Sequence, residues 1–172
     1  MDIGISNCNA LQIAKASELV KEKEWEQFVS IQGHHRLLFR EEGKEMVPFC
    51  LEDNISMTPY LGEYTKRYDE DFMARAKYNR IMDNDQAIIE RVEELAKKKG
   101  VTMSEITLAW LCYKKTVPAI GTTKKSHIES SVKSLKVELT PEEIHHLEKL
   151  YTPHNLTGVI ATNTQAKMHF LD

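Results

Sequence analysis

Nothing in this 172-residue sequence approaches an apolar run of membrane-spanning length, and its N-terminus lacks the pattern of a signal peptide. Those absences set a cytoplasmic expectation. Cysteine is scarce: Cys8, Cys50 and Cys112 are odd in number and widely spaced, which argues against a disulfide framework. Their neighbours do not complete a metal-ligand spacing either, so free thiols, buried in a reducing compartment, are expected. A basic stripe or tail is missing too, because 23 lysines and arginines are interspersed with 26 acids for a net charge of −3. That balance argues against nucleic-acid binding. Internal repetition is too weak to argue from. What the chain does have is apolar content, 41% of residues, enough for one core and hence a single domain over residues 1–172.

The stretch on which the chain turns is Pro118–Ser131, PAIGTTKKSHIESS. Val117, Ala119 and Ile120 read as a short strand that reaches Gly121, two threonines and two lysines. A helical pattern follows in which Ile128, Val132 and Leu135 share a face. A strand, a small-residue loop and a helix N-terminus in that order point N–H groups and the positive end of a helix dipole at an anion. Thr122 and Thr123 add donors, and Lys124 and Lys125 add charge suited to phosphate. The same residues also fit an ordinary strand-to-helix loop with solvated lysines.

Taken in order, the chain opens with a strand at Ile3-Gly4-Ile5, followed by Ser6-Asn7 in a loop and a helix over Ala10–Lys23. Glu24-Trp25-Glu26 turns the chain into a second strand, Phe28–Gln32. After a polar loop with His34, His35 and Arg36, a helix is expected from about Arg40 to Glu52, burying Met46, Val47 and Cys50 and ended by Asn54. Ile55–Tyr60 is the third strand, with Pro59 near its end, where a lost donor does little harm. Leu61–Asp83 reads as a long loop with at most one short helix. Asp85–Lys99 is a helix closed by Gly100. Thr102–Glu105 is a capping box for the next helix, whose apolar face is Ile106, Ala109, Trp110 and Tyr113. Thr140-Pro141-Glu142-Glu143 starts a last helix running to about Tyr151, and 152–172 reads as a tail.

Four strands, near residues 3, 28, 55 and 117, each followed by a helix, imply parallel pairing and right-handed crossovers, so the class is α/β. Several candidate sites have plainer readings. His34 and His35 point to opposite sides of an extended chain and suit a polar loop better than a metal. His145 and His146 suit a surface helix, and Lys97–Lys99 a helix C-terminus. Tyr64, Tyr68 and Tyr78 suit core cover, and Ser6, Asn7 and Cys8 have no identifiable base. No metal site is expected.

With these pieces placed, the sequence resembles the C-terminal half of the aldo/keto reductase family, NADP(H)-dependent (β/α)8-barrel enzymes. GISNCN at Gly4–Asn9, FVSIQGHHRLLFREEGKEMVPFC, ISMTPY, LAWLCYKKTVPAIGTTKKSHIESSV and ELTPEEIHHLEKLYTPHNLTG carry the likeness in register over nearly the whole chain. The resemblance implies a partial TIM barrel: about four parallel strands with covering helices. It also implies NADP(H) as cofactor. Ser6 and Asn7 match the pair that hydrogen-bonds the nicotinamide carboxamide, Gln32 matches the glutamine that shares the task, and Tyr60 matches the ring that stacks on the nicotinamide. Gly121, Thr122, Thr123 and Lys124 match the loop for the adenosine 2′-phosphate, and His127 a position facing the same phosphate. Those positions agree with the rule that barrel sites sit at the C-terminal ends of strands.

The departures from the family pattern carry implications of their own. The family's Asp-Tyr-Lys-His tetrad lies on the first half of the barrel, so no catalytic residue is assigned here, and the chain is expected to be inactive alone. The loop that wraps the pyrophosphate after Pro-Tyr is replaced by Leu61-Gly62-Glu63, and Ser130 and Ser131 stand where a Glu-Asn pair binds adenine. Gly33 and His35 replace an Asn and a Tyr of the strand-six loop. Weakened cofactor affinity is expected. Two functions remain open: an oxidoreductase of carbonyl compounds completed by an N-terminal half, or a non-catalytic half-barrel that binds nucleotide weakly or not at all. Four strands of half a barrel would expose two edges and a half-covered apolar interior. A homodimer, or a complex with a complementing N-terminal half-barrel, is therefore expected, with a small carbonyl substrate only once the barrel is completed.

Overall fold

The computed structural model describes residues 1–59 and 83–154. Strand–helix units lay down a three-stranded parallel sheet in sequence order: β1 (Ile3–Ser6), β2 (Phe28–Gly33) and β3 (Ser56–Pro59). Gly4, Ile5 and Ser6 lie opposite Ser30, Ile31 and Gln32, which in turn lie opposite Ser56, Met57 and Thr58. Ile3 pairs with Phe28 while Gly4 already pairs with Ser30, so Val29 is an inserted residue. Beside it, a Cβ at Gly4 would stand 2.6 Å from the Ser30 hydroxyl, which would have to turn away to admit it.

Side chains alternate across this sheet. Ile31 and Met57 are buried with Ile5 packed against them, in a core shared with Ile13 of α1 (Ala10–Glu22) and Met46, Val47 and Cys50 of α2 (Met46–Glu52). The opposite face carries Gly4, Ser6, Ser30, Gln32, Ser56 and Thr58, with Ser6, Gln32 and Ser56 exposed. The expected apolar interior is thereby corrected: this face is polar and small, and Ile5, Ile31 and Met57 are spent on the helix-covered side, while Val29 at the insertion is exposed.

A second core joins α3 (Asp83–Lys99), α4 (Met103–Tyr113) and α6 (Pro141–Glu148) through Ile88, Val92, Leu95, Ile106, Trp110, Ile144 and Leu147. The expected capping box at Thr102–Glu105 is formed, Thr140 caps the last helix as expected and closes a box with Glu143, and α1 has one at Asn9–Gln12. Gly100 ends α3 at φ +67°, with Val101 N–H donating to Ala96 O at 3.0 Å. The same six-residue closure ends α1, α2 and α4, but there the left-handed residue is Glu24, Asn54 or Lys115.

The predicted fourth strand forms only in part. Val117 and Ala119 donate to Met57 O and Pro59 O at 2.8 and 2.9 Å, so the segment runs parallel to β3 along its outer edge. Pro118 between them has no N–H to offer a further strand, and Val117 is 58% exposed. The helix expected over 40–52 is broken: a 3₁₀ turn at Glu41–Gly43 precedes α2. Pro48 would clash with the carbonyl of Lys44 in a continuous helix, whereas a start at Met46 places it in the first turn, where no partner is lost.

Helix α5 (Lys125–Ser134) is oriented opposite to its sequence pattern. Ile128, Val132 and Leu135 do share a face, but they are 55, 58 and 70% exposed, while Ser134 is buried and Ser130 and Ser131 are half-buried. Tyr113, expected on the buried face of α4, is also exposed. No helix among the described residues is long and apolar enough to cross a membrane. The readings of Leu61–Asp83 as a loop and of 155–172 as tail lie outside the described residues, apart from Asp83 at the start of α3.

Candidate functional site

Because every strand runs the same way, the loops after β1, after β2 and after the Val117–Ile120 segment leave the sheet at one end. Ser6 and Gln32 are register partners on the exposed face at that end. Asn7 follows in the left-handed region at φ +53°, a conformation asparagine tolerates, and its N–H donates to Gln32 O at 3.2 Å. One bond therefore locks the first loop to the end of β2. The hydroxyl of Ser6 and the carboxamides of Asn7 and Gln32 face outward as donors and acceptors. Tyr60 lies outside the described residues.

Beyond Ala119 the chain passes Gly121, around which a Cβ would meet nothing within 4 Å among the described residues. Thr122 then closes a tight turn: its hydroxyl accepts from Lys124 N–H at 3.1 Å and donates to Lys124 O at 3.3 Å. Thr123, Lys124 and His127 are exposed. Lys124 is the N-cap of α5 and supplies no side-chain acceptor, unlike Asn9, Thr102 and Thr140. His127 N–H turns back to Lys124 O at 3.1 Å. Lys125 lies 3.7 Å from Glu129.

Ser130 and Ser131 are placed differently. The Ser130 hydroxyl donates to Glu105 Oε1 at 3.0 Å, and the Ser131 hydroxyl donates to His127 O in its own helix at 2.8 Å. Both hydroxyls are thus engaged inside the chain.

A buried polar cluster behind the β2 loop escaped the sequence reading. His34 and His35, expected in a polar loop, are buried at 5 and 3% exposure. They do face apart, His34 stacking on Phe39 at 4.1 Å and His35 on Trp110 at 5.3 Å. Trp110 Nε1 donates to Glu148 at 2.7 Å, and Lys114 pairs with the same carboxylate at 2.6 Å. Arg40 stacks 4.4 Å above the Tyr151 ring. The Tyr151 hydroxyl accepts from Arg40 N–H at 2.9 Å and donates to Glu41 at 2.8 Å. Burial, and then the nearby Lys114 and Arg40 charges, push the His35 imidazole down to about 4. Burial pushes the Tyr151 phenol up to about 12. The one signal for this cluster was Trp110 on a core-facing helix position, since a buried indole N–H requires an acceptor.

Other candidates have plain structural roles. Cys8, Cys50 and Cys112 are free, and burial raises all three thiols, Cys50 to about 11, which disfavours the thiolate a nucleophile needs. His145 is exposed, and His146 lies 3.6 Å from Glu94. No group of three ligating side chains able to hold a metal occurs among the described residues.

Comparison with known proteins places these features in a family. The aldo/keto reductase family model matches residues 1–152. Versiconal hemiacetal acetate reductase of Aspergillus parasiticus is 35% identical over 168 residues, covering 88% of this chain and 48% of its own length. An aldo-keto reductase of Fusarium vanettenii is 32% identical, covering 91% of this chain and 45% of its own length. The chain thus spans about half the length of the curated relatives it matches. A solved thermostable aldo-keto reductase, in complex with the inhibitor epalrestat, superposes with a TM-score of 0.63 over 86% of this chain and 47% of its own, at 22% identity. That likeness bears on the fold.

Proposed function

The chain belongs to the aldo/keto reductase family, and from that premise we propose that it forms the NADP(H)-binding half of an oxidoreductase of carbonyl compounds, built as half of a (β/α)8 barrel. One observation carries the reading. The Ser6–Gln32 row and the Thr122–Lys125 turn leave the sheet at the same end, with exposed polar groups at both. The residues present fit the cofactor. Ser6, Asn7 and Gln32 offer the mixed donors and acceptors a carboxamide requires. The Thr122 turn, the Lys124 and Lys125 ammonium groups and the Lys125 and Ser126 N–H groups that open α5 offer what a phosphate requires. The cofactor, when bound, supplies a hydride; this chain's part is to hold and orient it.

Proton transfer is not assigned to this chain. Tyr151 is a poor acid at about 12, and its hydroxyl is held between Arg40 and Glu41. Chemistry therefore calls for an N-terminal half-barrel, in the same polypeptide or another, carrying the tetrad. The outward stripe of Ile128, Val132 and Leu135, together with the open edge of β1, suits that partner. The second reading, a non-catalytic half-barrel, is favoured by one fact: the Ser130 and Ser131 hydroxyls are spent inside the chain.

Fluorescence titration with NADPH, with NADH as comparison, separates the two. Micromolar binding that prefers NADPH and falls at least tenfold in a Lys124→Ala/Lys125→Ala double variant is expected, by about the worth of one or two charge-assisted contacts. No binding at millimolar cofactor would leave the non-catalytic reading.

A further inference from the structure

We propose that Glu105 and Ser130 act as positioning residues that aim the N-terminus of α5, rather than as cofactor ligands; the inference rests on the NADP(H) reading above. The starting point is the reversed orientation of α5. A helix normally holds its place by burying an apolar stripe, but α5 exposes Ile128, Val132 and Leu135 and turns Ser130, Ser131 and Ser134 inward. Its grip on α4 is therefore polar. Ser134 is 2% exposed, yet its hydroxyl donates to Ser131 O within α5 and adds nothing across the seam. A hydrogen bond does cross that seam, Ser130 Oγ donating to Glu105 Oε1 at 3.0 Å, and the Lys133 charge of α5 also favours the same carboxylate.

Glu105 is well placed for this task. It is 6% exposed, and its other oxygen accepts from Thr102 N–H at 2.7 Å and the Thr102 hydroxyl at 3.0 Å. One carboxylate thus closes the capping box of α4 with one oxygen and anchors α5 with the other. In the equivalent box of α6, Glu143 turns its second oxygen to Lys98 at 3.7 Å instead. Ser130 lies five residues inside α5, roughly 7 Å from its first residue, so a tilt of about 10° about that anchor moves the N-terminal N–H groups by about 1 Å. Displacements of that size are large for a phosphate held by oriented N–H groups.

The test is NADPH and NADH titration of wild type, Ser130→Ala and Ser130→Thr. Ser130→Ala keeps the α4 cap and removes only the link; Ser130→Thr restores a hydroxyl. The expected result is about a tenfold loss of NADPH affinity in Ser130→Ala, with NADH affinity within about twofold and recovery in Ser130→Thr. Equal losses for both cofactors would make Ser130 an adenine ligand and overturn the inference. Unchanged NADPH affinity in Ser130→Ala would overturn it alone, leaving the NADP(H) reading intact. A wild-type chain that binds neither cofactor overturns both.

Discussion

At the scale of single residues, His35 shows how burial sets chemistry. Its ring is 3% exposed against Trp110, and a Cβ added at Gly43 would stand 2.9 Å from its Cε1, so the site is tight on both sides. Lys114 and Arg40 oppose its protonation and Glu148 favours it, with a net fall from 6.5 to about 4. The unfolded chain therefore binds a proton that the folded chain refuses between those values. Stability from this residue is complete above pH 6.5 and is lost as pH falls toward 4, by about 2 kcal/mol between pH 7 and pH 4.5. Denaturant unfolding at the two pH values checks this: His35→Phe, which keeps the stack on Trp110, should shrink the acid loss by about that amount. An unchanged acid loss would show that other groups carry it. None of this was legible locally, because Trp110 lies 75 positions further along the chain. The local rules fared better: the Gly100 closure, the Thr102–Glu105 box and the Thr140 N-cap with Pro141 behind it formed as written, since each is settled within a few residues. Asn54 was legible as a helix end in the same way, whereas Glu24 and Lys115 were not, because neither residue type favours the left-handed conformation that the closing bond imposes.

At the scale of elements, the departures at α2 and α5 have physical causes that a periodicity cannot carry. Pro48 decides where α2 begins, by steric conflict with the carbonyl four residues earlier. Periodicity found the apolar face of α5 but not which way it points. Ser130 reaches Glu105 of α4, Ser131 and Ser134 are partly or fully buried, and the larger apolar residues are left outside. That stripe predicts behaviour in solution. The described chain alone should self-associate at micromolar concentration, and Val132→Glu, at a position 58% exposed, should return it to the monomer without loss of helix. Light scattering behind size exclusion reads the mass and circular dichroism the helix content. A monomeric wild type would contradict the assignment of this face to a half-barrel partner.

At the scale of the molecule, repeated strand–helix units dictated a parallel sheet, and the sheet dictated a common end for its loops. That much was legible in the spacing of the strands. The polar inner face was not, because alternation in β2 is reset by the inserted Val29. The candidate site was legible as a set of positions, of which Ser6, Asn7, Gln32 and the Gly121–Lys124 loop emerge at the common end, while Ser130 is turned to Glu105. Family membership and fold likeness support the half-barrel reading. The account stands or falls on whether that common end receives NADPH. The most direct measurement is a two-dimensional amide NMR titration of the isotopically labelled chain with NADPH. The account predicts shifts concentrated at Ser6, Asn7 and Gln32 and at Gly121–His127, with the latter set absent for NADH. Shifts scattered over the helical face, or none at saturating NADPH, would contradict it.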